Sequence, residues 1–199
     1  QVKLAYWFID PKDVVANRLA SLHHGVLVDC KLTYMVDIAT SQEFFIEDSH
    51  LEDYLETEPS NELIELSLQS GEYSRYKVDT HFAPTIFREL YITWITKSVK
   101  KVLARAVMIY RNDEQNIAGM MTLEEKKNNG SIGLIAVDSQ YRQQSIGKKL
   151  ILTALDRFQS WQLSKAQVVT QKANQNACRL YEQCGFRLTT SENVYHFWL

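Results

Sequence analysis

The feature that most constrains the fold is a change of hydrophobic period in the second half of the chain. Three short apolar runs, ARAVMIYR (104–111), IAGMMTL (117–123) and SIGLIAV (131–137), are separated by the turn residues Asn112-Asp113 and Lys126 to Gly130. Runs of that length between turn signals predict strands, and connections this short make them antiparallel neighbours. The period then becomes helical. From about Gln144 to Ser160, Ile146, Leu150, Ile151, Ala154, Leu155 and Phe158 recur on one face. A strand at 166–170, a helix at 174–183 closed by Gly185, and strands at 186–189 and 194–198 complete this half. The expected class is mixed α/β (α+β), a mostly antiparallel sheet flanked by helices.

The first half is organised differently. Leu4 to Ile9 is a strand, Asp10-Pro11 an N-cap followed by proline at the first helical position, and Val14, Val15, Leu19 and Leu22 a helical stripe ended by Gly25. With a second strand from Val26 to Ile38, residues 1–40 read as a small N-terminal βαβ subdomain and 41–199 as the main domain. Forty residues make a poor core alone, so this piece is expected to dock on the rest. Helices are expected at 61–70, closed by Gly71, and at 85–99, started by Pro84, with SRYKVDTHF (74–82) as the loop between them.

Composition narrows the functional classes. The 199 residues carry a formal net charge of −2, which argues against a nucleic-acid binder driven by bulk charge. No apolar run approaches the ~20 residues of a membrane span. Cys30, Cys178 and Cys184 form neither a disulfide framework nor a zinc pattern, and the five histidines lack metal-ligand spacing, so no metal is expected and a reducing cytoplasm is the simplest compartment. The chain starts at Gln1 rather than Met, which reads as processing or trimming and leaves a targeting segment unjudged. Between Leu32 and Ser74 there are eleven acidic residues and no Lys or Arg. This stretch is read as a solvated linker and helix face.

Two segments carry chemistry. In GLIAVDSQYRQQSIGKKLIL (133–152) a strand runs through a polar loop into a helix, whose free N–H groups and dipole suit an anion. Ser145 and Gly147 are small enough for a diphosphate to approach the backbone, and Arg142, Lys148 and Lys149 add positive charge. In NQNACRLYEQCGF (174–186), Asn174, Ala177 and Tyr181 share one helix face.

Together these segments resemble the GNAT superfamily of acetyl-CoA-dependent N-acetyltransferases. Arg142-Gln143-Gln144-Ser145-Ile146-Gly147 is similar to its diphosphate loop, with Ser145 where the family usually has Gly. Asn174, Ala177, Leu180, Tyr181, Gly185 and Phe186 are similar to its second motif. SRYKVDTHF, LYITWI (90–95) and VYHFWL (194–199) further resemble the dTDP-fucosamine type, which acetylates a dTDP-4-amino-4,6-dideoxyhexose. The resemblance implies a nucleotide-linked amino deoxysugar as substrate and a place in surface-polysaccharide synthesis. Another small amine, a protein amine, or a non-catalytic acetyl-CoA-binding module are the alternatives. It implies a cleft where strand 131–137 splays from strand 166–170, with the main chain of Leu134, Ile135, Ala136 and Val137 along the pantetheine. Residues Arg142, Gln143, Gln144, Ser145, Ile146, Gly147 and Lys148 would take the diphosphate, and Asn174 and Ala177 the pantetheine arm. Tyr181 is the expected general acid, provided its site lowers the phenol pKa. Arg75 and Tyr76 are the expected sugar-nucleotide contacts. The base stays open among Asp79, His81, Glu89, Glu124 and ordered water. Tyr195, His196, Phe197 and Trp198 are read as edge-strand packing or a dimer contact, so a homodimer fits the sequence. Cys178 is read as a small packed residue.

Overall fold

The computed structural model describes residues 2–38 and 48–199. Its elements are β1 (Leu4–Ile9), α1 (Val14–Leu22), β2 (Val26–Asp37), β3 (Leu51–Asp53), α2 (Asn61–Ser70), α3 (Arg75–Val78), α4 (Pro84–Val99), β4 (Ala106–Arg111), β5 (Ile117–Lys126), β6 (Asn129–Val137), α5 (Ile146–Ser160), β7 (Lys165–Gln171), α6 (Gln175–Gln183) and β8 (Arg187–Trp198). The strands form one eight-stranded sheet in the order β1-β8-β2-β7-β6-β5-β4-β3. Every pairing is antiparallel except β6 with β7.

Alternating side chains of the central strands feed two cores. Val107, Ile109, Met120 and Leu134 pack with Leu63 and Leu66 of α2 and Tyr91 and Ile95 of α4. Met108, Met121 and Leu123 pack on the opposite face with Leu150, Ile151, Leu155 and Phe158 of α5. Because β5 is covered on both faces, its run from Ile117 to Glu124 is buried throughout.

The meander β4-β5-β6 matches the strands read from the sequence, with a tighter turn than expected. Lys127 and Asn128 both adopt positive φ (52° and 61°), as a two-residue hairpin requires. Gly130 therefore lies within β6, where a Cβ would strike the ring of Phe158. Three other expectations are corrected. Asp13, not Asp10, caps α1, by accepting from Ala16 N–H at 2.9 Å, and Asp10-Pro11 forms the preceding turn. The segment 74–82 contains a helical turn, α3, capped by the Ser74 hydroxyl. The two C-terminal strands are one continuous strand, β8.

The N-terminal residues join the same sheet. β1 and β2 lie on either side of β8, so Tyr195, His196, Phe197 and Trp198, expected on an edge strand, belong to an interior one, and β2 sits between β8 and β7. The expected boundary near residue 40 lies outside the described residues.

Candidate functional site

A bulge opens the sheet. Between β5 and β6, Met121 opposes Ile135 while Leu123 opposes Ile132, so β6 carries one extra residue at Gly133-Leu134. The Leu134 N–H displaced by the bulge donates to Thr122 Oγ1 at 2.8 Å. Gly133 is required there because a Cβ would collide with the side chains of Glu124 and Thr122. On its other edge β6 pairs with β7 only at Gly130–Ile132. Beyond that point the strands part, as the resemblance implied. The gap is part of a cavity of about 850 Å³, walled by residues 133–137 of β6 and by Val169, Thr170 and Gln171 of β7.

At one end of this cavity the chain turns into α5. Asp138 caps a 3₁₀ turn at Ser139–Tyr141, and Gln143 (φ 65°) and Ser145 (φ 62°) then take left-handed conformations. Ser145 makes no side-chain cap bond, so no side chain of its own occupies the first N–H groups of α5. Arg142, Gln143, Ser145, Ile146, Gly147 and Lys148 line the cavity together with Leu134, Ile135, Ala136, Val137, Asn174 and Ala177. Gln144 is exposed and is not part of the lining. Lys149 points elsewhere, held by Asp48 at 2.7 Å. These features suit the diphosphate and pantetheine of CoA: free donors at a helix start, small residues beside them, and an unpaired strand edge.

Asn174 Oδ1 is engaged in capping α6, accepting from Ala177 N–H at 3.2 Å. On the same helix Tyr181 is only 3% exposed, with its ring near Tyr34 and Phe186, yet it lines the cavity. Its hydroxyl has no hydrogen-bond partner among the described residues. Burial, reinforced by Cys178 and Cys184, pushes the phenol pKa up. This corrects the expectation of a lowered value, because among the described residues no cation acts on the phenol to offset its desolvation. Cys178 itself is packed in the core, as expected.

The same cavity is lined by Tyr73, Tyr76, Tyr91 and Trp94, with Arg75 and Asp29. Arg75 donates to Tyr76 Oη at 3.1 Å, and its guanidinium lies over the rings of Tyr6, Phe8 and Tyr76. Its Nε is buried without a partner. The segment that presents Arg75 and Tyr76 is pinned by Asp79. That carboxylate accepts from His196 Nδ1 at 2.6 Å, Trp198 Nε1 at 2.9 Å and His81 N–H at 3.0 Å. Burial opposes its ionisation, but the bonds from His196 and His81 outweigh it and hold the carboxyl well below the usual range. Burial in turn lowers the His196 pKa and keeps the imidazole neutral.

Asp79, His81, Glu89 and Glu124 do not line the cavity, and Glu124 pairs with Lys126. Asp29 does line it and was not singled out in the sequence. It interrupts the apolar run VLVDC, and a register shift in the β2–β8 pairing falls between Leu27 and Asp29. Burial pushes its carboxyl up to about 6 against the pull of Arg75, the Cys30 N–H and Lys31.

The model of the acetyltransferase (GNAT) family matches residues 71–186. The chain belongs to the GNAT acetyltransferase family. The enzymes of this family use acetyl-CoA. A GCN5-related N-acetyltransferase of Sphaerobacter thermophilus shares the fold of this GNAT chain, with a TM-score of 0.64 and 14% identity over 98% of this chain and 59% of its own. A GNAT-family acetyltransferase described as putative, from Novosphingobium aromaticivorans, gives 0.61 and 15%, over 97% and 73%. N-alpha-acetyltransferase 30 of Saccharomyces cerevisiae is 40% identical over 57 residues, which is 29% of this chain and 32% of that protein. The GNAT chain thus matches about a third of that curated relative and spans less than two thirds of the Sphaerobacter protein.

Proposed function

We propose that this chain transfers the acetyl group of acetyl-CoA to the amine of a nucleotide-linked amino deoxysugar. The observation that carries the reading is one cavity lined by two unlike sets of groups, the free N–H groups at the start of α5 and Arg75 among aromatic side chains. Residues 41–199 would carry the transfer, and residues 1–40 would complete the acceptor wall through Asp29.

The thioester of acetyl-CoA supplies an activated carbonyl carbon when bound. The Leu134 N–H is taken by Thr122, so a donor for the oxygen on which charge builds would come from the main chain of Ile135 to Val137, unpaired toward β7. Tyr181 lines the cavity and, kept protonated by burial, would hydrogen-bond the departing sulfur and give it its proton. Arg75 would pair with the nucleotide diphosphate, and Tyr73, Tyr76, Tyr91 and Trp94 offer faces for a base or sugar ring. The three free cysteines fit a cytoplasmic setting.

The likeness to N-alpha-acetyltransferase 30 favours a second reading, in which the acceptor is a peptide amine. Thiol release measured with a dTDP-4-amino-4,6-dideoxyhexose, a UDP-amino sugar, spermidine and a short peptide separates the two. The sugar reading expects turnover on a nucleotide sugar and a rise of ~10-fold or more in its KM in Arg75→Ala, with KM for acetyl-CoA unchanged. Turnover confined to the peptide supports the second reading.

A further inference from the structure

The cavity wall carries two carboxylates among the described residues, Glu72 and Asp29. Glu72 is exposed and faces Lys77 at 3.8 Å. Asp29 is half-buried and makes no ion pair within 4 Å among the described residues. Its place follows from the register. Lys31 opposes Gln171 and Thr33 opposes Val169. By strand alternation Asp29 falls on the same face as these residues, the face on which α3 and α4 pack. The titratable and charged groups nearest it are Arg75 of α3 and Lys31 of its own strand, with Tyr91 of α4 also within its field. Lys31 is occupied by Glu192 at 2.8 Å, and the residue directly opposite on β8 is Val194. An unpaired carboxylate in an aromatic chamber is costly to bury, and a cationic guest relieves that cost.

On the reading that this cavity accepts an amine, we infer that the Asp29 carboxylate seats the acceptor's ammonium group and takes a proton from it at the start of transfer. The step balances as follows. Asp29 removes one proton from R–NH3+, leaving R–NH2. The nitrogen lone pair forms the C–N bond at the thioester carbon, and the C–S pair leaves with sulfur. Tyr181 protonates that sulfur and recovers its proton from the acylated nitrogen, while Asp29 returns its own to water. Arg75 beside Asp29 makes an amine that also bears an anionic group the best-matched acceptor. Burial that raises the carboxyl to about 6 leaves it ionised at neutral pH yet a better base than an exposed aspartate.

The test compares the chain with Asp29→Asn and Asp29→Glu, by thiol release from pH 5 to 9, on whichever of the four amines above turns over fastest. The expected result is an acid limb in kcat/KM near pH 6 in the parent, and loss of that limb with a ~10²-fold or larger fall in Asp29→Asn. Asp29→Glu should recover part of the rate, and acetyl-CoA affinity by calorimetry should be unchanged in both, which also reports folding. An Asp29→Asn enzyme that keeps the limb and turns over within threefold of the parent overturns the inference. Turnover only on spermidine or the peptide overturns the sugar reading instead, and the profile on that amine still decides the role of Asp29.

Discussion

His196 Nδ1 donates to Asp79 Oδ2 at 2.6 Å, and both side chains are almost wholly buried. The pair ties the last strand to the segment that carries Arg75 and Tyr76, so a contact outside the cavity sets the position of the wall proposed to take the acceptor.

Removing this tie should cost stability and acceptor binding together. Asp79→Ala strands the Nδ1–H of His196 and the Nε1–H of Trp198, and a loss of about 2–4 kcal/mol is expected in urea unfolding. Acceptor KM should rise while acetyl-CoA affinity holds. The pH dependence of the parent has a matching sign. Both groups have folded values below their unfolded ones, so their contribution is present at neutral pH. It is lost first as pH falls below about 6.5, where the histidine of the unfolded chain takes up a proton and folded His196 does not, and again below about 3.8, where the same holds for Asp79. A stability curve flat from pH 7 to 4 would contradict this.

Asp29 should behave in the opposite sense. Its folded value lies above the unfolded one, so its contribution is full below about pH 3.8 and gone once pH has passed about 6. Asp29→Asn cannot ionise, and at pH 7 it should be more stable than the parent by on the order of 1 kcal/mol after solvent screening, about 2–4 °C in Tm. The gain should vanish near pH 4. Thermal melts at the two pH values read the difference directly, and an equal gain at both would point to another cause.

Ser145 holds a left-handed conformation, with φ 62°, at the start of α5. That region costs an L-residue roughly 1 kcal/mol that glycine avoids. Ser145→Gly should therefore raise Tm by about 2–4 °C and leave acetyl-CoA affinity equal or tighter. Ser145→Val should lower both, since a branched Cβ tolerates this conformation least.

The sequence made the catalytic half of the molecule legible because its signals are local. Short apolar runs between turn residues announce β4, β5 and β6, and a 3.6-residue stripe announces α5. The loop from Arg142 to Lys148 and the Asn174-to-Phe186 segment pointed to the cavity wall before it was seen. Non-local relations stayed hidden. β2 enters the sheet between β8 and β7, through pairings some 130 to 170 residues apart in sequence that no window of sequence encodes. Asp29 is not legible for that reason, since its meaning depends on the charge of Arg75 and on Tyr91, which the fold alone brings into its field. The bulge left one readable trace, Gly133 inside an apolar strand. Asp10-Pro11 misled because Asp13, three residues on, competes for the same capping role and has the geometry to win it.

Acetyl transfer through the opened sheet, with Tyr181 as the proton donor, is tested most directly by Tyr181→Phe, which removes one oxygen and keeps the packed ring. Single-turnover acetyl transfer at pH 7 should slow by ~10²-fold or more, with acetyl-CoA affinity within twofold of the parent. A variant that transfers acetyl at the parental single-turnover rate would contradict the account.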